Sequence, residues 1–301
     1  MLSEAFLKEL EKSNISFCTE EKMSGHTTFK IGGPADVFVS VSNTEQLKAV
    51  LSAARSTKTE WFIIGKGSNL LVSDYGIDGA VISLDGMNGI KVCGNAVICG
   101  AGARLSGVCR AAADAGLSGL EFAYGIPGGV GGALFMNAGA YGGEISEIAA
   151  EAECMDRDGN VFTLGAGEMK FGYRTSIFRE KGYIILSAKF VLNHGNSDEI
   201  RGKMDDFLGR RKSKQPLEYP SAGSTFKRPA GYYAGALIEK NGFKGKCCGG
   251  AEVSEKHAGF IINKGGASAK DVETLIKNIQ ESVFKNDGVK LETEVIRVGR
   301  G

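Results

Sequence analysis

Charge of one sign is the first thing this sequence lacks. Lys and Arg number 36 against 35 Asp and Glu, a net charge of +1, so no broad field exists to hold nucleic acid or an anionic membrane surface. No apolar run approaches the roughly 20 residues that a membrane-spanning helix requires. The opening stretch MLSEAFLKELEK is an acidic-basic amphipathic helix with Leu2, Ala5, Phe6 and Leu10 on one face, not a signal peptide, which points to a cytoplasmic protein. Cysteines are present without a pattern: Cys18, Cys93, Cys99, Cys109, Cys154, Cys247 and Cys248 are scattered, with no C-x-x-C. That usage suits reduced thiols better than a disulfide framework. His26, His194 and His257 stand far apart and no HExxH occurs, so no metal site is expected. The standard nucleotide fingerprints are also missing, with no GxGxxG after a strand and no GxxxxGK[ST].

What the chain does have is glycine, 44 residues in 301. The densest stretch, Tyr124 to Glu144, reads YGIPGGVGGALFMNAGAYGGE. Glycine at this density weakens regular structure and is tolerated where backbone turns tightly or lies against something that leaves no room for Cβ. Such a loop leading into a short helix, expected over Gly132–Asn137, offers clustered N–H groups to a phosphate or diphosphate. A mobile surface loop is the other reading of any Gly-rich segment. This one is neither polar nor Ser-rich, so it reads as a cofactor cradle, with Gly125, Ile126, Pro127, Gly128, Gly131, Gly132, Asn137 and Ala138 as candidate contacts. Two further turns, Ile31-Gly32-Gly33-Pro34 and Gly65-Lys66-Gly67-Ser68-Asn69, would converge with it on one extended ligand such as a dinucleotide.

Helices and strands mix along the whole chain, an α+β pattern. Asn43 caps an expected helix carrying Leu47, Val50, Leu51 and Ala54. Strands are expected over Trp61–Ile64, Ala80–Leu84, Ala96–Gly100, Glu147–Met155, Val161–Leu164 and Tyr183–Leu192, with a helix from Arg104 to Ala115. A boundary falls near residue 194, after which Asn196 and Glu199 open one helix and Ser268 and Asp271 another. The last strand is expected over Val289–Val298. Its alternation would put Glu292, Glu294, Ile296 and Val298 on one face, where two carboxylates on a half-apolar surface would raise the pKa of one of them. Two other polar residues stand out: Arg174 in FGYRTSIF and Ser224 in SAGSTFKRP. A lone arginine is ordinarily a salt-bridged surface residue, and a serine between small residues ordinarily bonds its own turn.

Seven stretches in order, TTFKIGGPAD, GKGSNLLVSD, YGIPGGVGGALFMNAGAYGGE, FGYRTSIF, SAGSTFKRP, HAGFIIN and LETEV, resemble the UDP-N-acetylenolpyruvoylglucosamine reductase family across nearly the whole chain. The resemblance implies two N-terminal FAD-binding subdomains of the vanillyl-alcohol-oxidase (PCMH) type, over 1–80 and 81–194, and a C-terminal α+β substrate-binding domain over 195–301. It implies FAD held without a covalent link, NADPH as hydride donor, and UDP-N-acetylglucosamine enolpyruvate as the substrate reduced for peptidoglycan synthesis. Carried over, Ser224 is similar to the serine that protonates substrate C2, and Arg174 and Glu294 to the pair that stabilises the enolate. Tyr173, Lys214 and Arg228 match substrate-binding positions. The segment from Tyr173 to Leu192 is short, as in the second subtype, which lacks the tyrosine loop. Gly129 replaces the Ser or Thr of IPG(S/T)VGG, which removes a hydroxyl contact to the diphosphate. Two rival readings are an FAD oxidase of the same fold acting on another substrate and a nucleotide-binding module without catalysis.

Overall fold

The computed structural model describes residues 4–301, and Leu2 lies outside them. The chain forms two compact units, one from residues 1–18, 37–66 and 79–211, the other from 19–36, 67–78 and 212–301.

In the first unit, helix α1 (Glu4–Lys12) buries Phe6 and Leu10, and α2 (Thr44–Thr57) buries Leu47, Val50, Leu51, Ala53 and Ala54. The 3.6-residue period of those apolar positions makes this helical face. Asn43 begins α2 as read from sequence, its side chain accepting the Gln46 N–H at 2.8 Å. A parallel pair joins Trp61–Ile64 to Ala80–Ser83. The main sheet is antiparallel, in the order Val161–Gly165, Ala149–Met155, Ile184–Val191, Ala96–Gly100, Ile90–Cys93. Helices α3 (Leu105–Asp114), α4 (Val130–Phe135) and α5 (Ile177–Lys181) complete the layers around one core that includes Val97, Val108, Leu134, Phe178 and Phe190. Three thiols sit in that core: burial pushes Cys99, Cys109 and Cys154 each up to about 12, so they act as small apolar side chains rather than nucleophiles.

The second unit has its own core, from Phe29 and Ile31 through Phe226, Ile238 and Val253 to Val272, Ile279 and Leu291. A three-stranded antiparallel sheet runs Cys247–Cys248, Ala251–Val253, Ile261–Asn263. Helix α6 (Ser197–Lys214) buries Ile200 and Met204 in the first unit's core; in the second unit, after α7 (Ala234–Lys240), the long α8 (Ala269–Asp287) carries the capping box expected from Ser268 and Asp271. Asp74 adds to it, its two carboxylate oxygens accepting the N–H groups of Ala269 at 2.7 Å and Lys270 at 3.1 Å. Leu70–Val72 pairs in parallel with Ile296–Val298.

Several expectations shift. The last strand covers only Ile296–Val298, preceded by an isolated bridge between Phe226 and Thr293. In the segment before it the buried residues, Leu291 and Val295, are four apart, so Glu292 and Glu294 do not lie on an alternating strand face. Regular pairing starts only where Leu70–Val72 becomes available. The short cradle helix begins at Val130 and ends at Phe135, not Gly132–Asn137. Residues Ile145–Glu147 form a 3-10 turn, so the strand expected from Glu147 starts at Ala149. Strands Phe17–Lys22 and Ile90–Cys93 were not expected at all: the first is mostly polar and exposed, and the second is only four residues long and exposed throughout. Among the described residues no helix is long and apolar enough to cross a membrane, and no cluster of three or more His, Cys, Asp or Glu could hold a metal ion.

Candidate active site

In the first unit, the glycine-rich stretch is stitched to the loop that follows Ala96–Gly100. The N–H groups of Val130 and Gly131 donate to the carbonyls of Ala103 (2.9 Å) and Ala101 (2.8 Å), and Leu105 N–H donates to Gly128 (3.1 Å). A Cβ on Gly129 or Gly131 would press on Ala101 at 3.2 and 3.1 Å, so these glycines exist for close backbone approach. Gly132 and Gly65 face open space instead, with nothing within 4 Å of an added Cβ. Gly125 lies against Arg211, whose Cδ is 3.2 Å from where a Cβ would stand. The buried Arg211 Nε has no hydrogen-bond partner, and burial holds the guanidinium pKa below its ordinary value. An unpaired buried guanidinium nitrogen beside a glycine turn is the donor set an anionic diphosphate would satisfy. Lys66, in the second turn, is ion-paired to Asp85 at 2.8 Å.

The loop carrying Arg174 is fastened to this cradle at two points. Asn137, left-handed at φ 43° and 2% exposed, donates from Nδ2 to the Gly172 carbonyl (3.2 Å) and accepts the Ser146 N–H (3.0 Å). Ser176 Oγ donates to the Phe135 carbonyl at 2.8 Å. Between them Gly172 and Thr175 bridge across a tight turn, N–H to O at 3.0 and 3.3 Å. Arg174 sits in that turn with φ 56°, a conformation uncommon for a non-glycine residue. Its carbonyl accepts from Arg179 Nη1 at 2.9 Å, and its guanidinium lies 5.5 Å from the Tyr173 ring centroid. A backbone held this firmly off its preferred region aims one side chain in a fixed direction.

In the second unit, Ser224 and Glu294 come together through Thr225. Thr225 is 2% exposed; its N–H donates to Gly259 O at 2.8 Å, its carbonyl accepts the Glu294 N–H at 2.9 Å, and its Oγ1 accepts the Ile261 N–H at 3.2 Å. Asn69 Nδ2 donates to the Glu294 carbonyl at 3.0 Å, and Ile296 N–H donates to the Asn69 carbonyl at 2.9 Å. The Gly67-Ser68-Asn69 turn thus grips the Glu294 segment directly. Gly67 is left-handed (φ 59°), and a Cβ there would overlap the His26 carbonyl. The Ile31-Gly32-Gly33 turn is fixed by Thr27 Oγ1 donating to Ile31 O at 3.0 Å and by Gly33 N–H donating to Ser73 O at 2.9 Å.

Ser224 and Glu294 are both half-buried. Glu292 is not the partner carboxylate the alternation suggested. Lys227 bonds it at 3.0 Å, it is 66% exposed at the side chain, and that hydrogen bond followed by the lysine charge holds its carboxyl below the ordinary range. Arg228 is exposed with its guanidinium 4.1 Å over the Tyr233 ring, and Lys214, also exposed, ends α6. The sequence reading missed Thr225 and His257, whose Nδ1 accepts the Gly259 N–H at 3.1 Å. Both work through backbone, and the only signal was a polar residue inside a short apolar motif.

Residues 35–165 match an FAD binding domain, and residues 215–298 match the C-terminal domain of UDP-N-acetylenolpyruvoylglucosamine reductase. The chain is 50% identical over 292 residues to the UDP-N-acetylenolpyruvoylglucosamine reductase of Clostridium novyi (strain NT), covering 97% of this chain and 93% of that protein. It is 49% identical to the enzyme of the same name from Clostridium botulinum (strain Hall), over 95% of this chain and 94% of that one. The crystal structure of UDP-N-acetylenolpyruvylglucosamine reductase (MurB) from Thermus caldophilus superposes with a TM-score of 0.81 at 36% identity, covering 94% of this chain and 98% of that chain. A berberine bridge enzyme variant aligns at a TM-score of 0.50 and 13% identity, over 64% of this chain and 44% of its own, a likeness of fold alone. The protein belongs to the UDP-N-acetylenolpyruvoylglucosamine reductase family.

Proposed function

We propose that this protein reduces UDP-N-acetylglucosamine enolpyruvate to UDP-N-acetylmuramate in peptidoglycan synthesis, with NADPH as reductant and FAD as a non-covalent cofactor, in the cytoplasm. The observation that carries the reading is 50% identity to a named reductase across 97% of the chain. Residues 1–80 and 81–194 serve as the FAD-binding subdomains and 195–301 as the substrate-binding domain. The glycine turns at Ile31–Gly33, Gly65–Asn69 and Gly125–Ala138 hold the cofactor. Gly65 and Gly132 leave open backbone for it, and Arg211 Nε supplies an unpaired donor for its diphosphate.

Bound FAD supplies a hydride carrier between NADPH and C3 of the enolpyruvyl group. This chain's residues manage the charge that then develops at C2 and in the substrate carboxylate. Arg174, planar and permanently charged, pairs with the carboxylate oxygens as that charge builds. Glu294 partners Arg174 in stabilising that charge. Ser224 Oγ gives its proton to C2, a step that nearby positive charge assists because a serine hydroxyl is a weak acid. Lys214 and Arg228 hold the nucleotide diphosphate, with Tyr173 beside the reacting end.

The purified protein should be yellow and should consume NADPH rapidly only when UDP-N-acetylglucosamine enolpyruvate is present. Colourless protein that FAD cannot reconstitute, or NADPH consumption indifferent to that substrate, contradicts the reading.

A further inference from the structure

His257 takes no part in the chemistry described above, yet the structure builds a slot for it. A Cβ on Gly259 would stand 2.9 Å from the imidazole Cε1, and one on Gly235 in α7 would stand 3.3 Å from it. Two glycines on two different segments therefore leave the room that the ring fills. The ring also meets Phe260 edge-on, centroids 5.1 Å apart at 71°. Its Nδ1 accepts the Gly259 N–H at 3.1 Å, which requires an unprotonated Nδ1 and so places the ring proton on Nε2. The backbone on both sides is pinned: His257 N–H donates to Ser254 Oγ at 3.3 Å and Phe260 N–H donates to His257 O at 3.0 Å.

The residue whose N–H His257 holds, Gly259, is also the one whose carbonyl holds the serine segment. Gly259 accepts the Thr225 N–H at 2.8 Å, and the Thr225 carbonyl accepts the Glu294 N–H at 2.9 Å. Thr225 is covalently next to Ser224. A short relay of backbone bonds therefore runs from the imidazole to both Ser224 and Glu294, entirely inside the second unit.

We propose that neutral His257 is a positioning residue for the proton-donating step, holding the Gly259 N–H and, through that residue's carbonyl, Thr225, so that Ser224 Oγ keeps its aim at the substrate carbon. The proposal rests on the reading of Ser224 as the proton donor. Protonation of Nδ1 would set one N–H against another at Gly259, break the first link and let the Ser224 segment drift. The charged groups facing the ring are Glu239 of α7 and Lys244 just beyond it. In its own loop the neighbouring cation, Lys256, is tied to the Lys212 carbonyl at 2.7 Å and to Glu218 at 3.5 Å. Burial, first, holds the His257 pKa below its ordinary 6.5; the residue's own backbone carbonyl and then Glu239 oppose it, and Lys244 acts with it. A lowered pKa of a basic group means that its bonded, neutral state is fully present above 6.5 and is lost as pH falls through the lower folded value.

Two substitutions separate positioning from bulk. His257→Phe keeps the ring volume and removes the acceptor, whereas His257→Asn keeps an acceptor near the Nδ1 position and does not titrate. In anaerobic stopped-flow on the holoenzyme, His257→Phe should slow substrate-driven flavin reoxidation by about 10- to 100-fold, the scale of a small misplacement at a reacting centre. NADPH-driven flavin reduction should remain at the parent rate. His257→Asn should keep the parent reoxidation rate at neutral pH and lose the acid-side decline that the parent shows. Imidazole nitrogen shifts of the parent protein, read by NMR near pH 7.5, should report the Nε2–H tautomer. Ser224→Ala is measured alongside: if it reoxidises at the parent rate, the Ser224 reading itself fails. If Ser224→Ala is slow, three results overturn the role of His257: a folded His257→Phe at the parent rate, an unchanged acid limb in His257→Asn, or an Nδ1–H tautomer.

Discussion

Thr225 is the residue on which the candidate site turns, although no chemistry is asked of it. All three of its polar groups are bonded in a nearly sealed position, which fixes the backbone on either side of it. Ser224 is therefore held still, and its replacement should be a local event. Ser224→Ala should leave flavin reduction by NADPH at the parent rate and slow reoxidation by the enolpyruvyl substrate by ~10²–10⁴-fold, the usual worth of a positioned acid. Equal effects on both half-reactions in stopped-flow would make Ser224 an ordinary turn serine. Lys214→Ala and Arg228→Ala should raise KM while leaving kcat, each losing roughly 1.5–3 kcal/mol of charge-assisted binding; a fall in kcat at unchanged KM would remove both from the diphosphate. Among single residues, Ser224, Arg174 and Glu294 could be proposed from sequence because they stand in short motifs of distinctive composition. Thr225 and His257 could not, since a residue that acts through carbonyls and N–H groups leaves no trace in side-chain pattern.

Elements were read best where a cap or an apolar period marks them. Asn43 and the Ser268–Asp271 pair both begin their helices as expected. At α8 the cap is reinforced from outside by Asp74, so four side-chain hydrogen bonds hold the N–H groups of the first turn. Ser268→Ala should destabilise the protein by about 0.5–2 kcal/mol, seen as a lower denaturation midpoint at unchanged slope. No loss would mean that Asp74 alone satisfies the turn. The reading failed where pairing depends on a distant partner. The segment from Val289 looks like one strand, but its partner Leu70–Val72 reaches only residues 296–298, and Leu291 and Val295 turn inward on a four-residue spacing. The carboxylate face inferred from alternation disappears with it, and Glu292 is a solvated ion pair with Lys227. Phe17–Lys22 is mostly polar and Ile90–Cys93 is only four residues long, so neither offered a run long or apolar enough to read as a strand.

At the scale of the molecule, near-neutral charge gave no sign of a nucleic-acid or membrane partner, and glycine content pointed to the turns proposed for the cofactor. Which segments share a unit was not visible, because residues 19–36 and 67–78 belong with 212–301 only through the return of the chain. Charge and hydropathy do not encode such returns. Function was legible through seven ordered stretches rather than any one of them, and an FAD oxidase reading shares the fold alone. The two are separated most directly by a single turnover without oxygen. Holoenzyme is reduced with one equivalent of NADPH and mixed with UDP-N-acetylglucosamine enolpyruvate while flavin absorbance is followed. The reductase reading predicts complete reoxidation of the flavin with one UDP-N-acetylmuramate formed per flavin; a flavin that stays reduced until oxygen is admitted would contradict it.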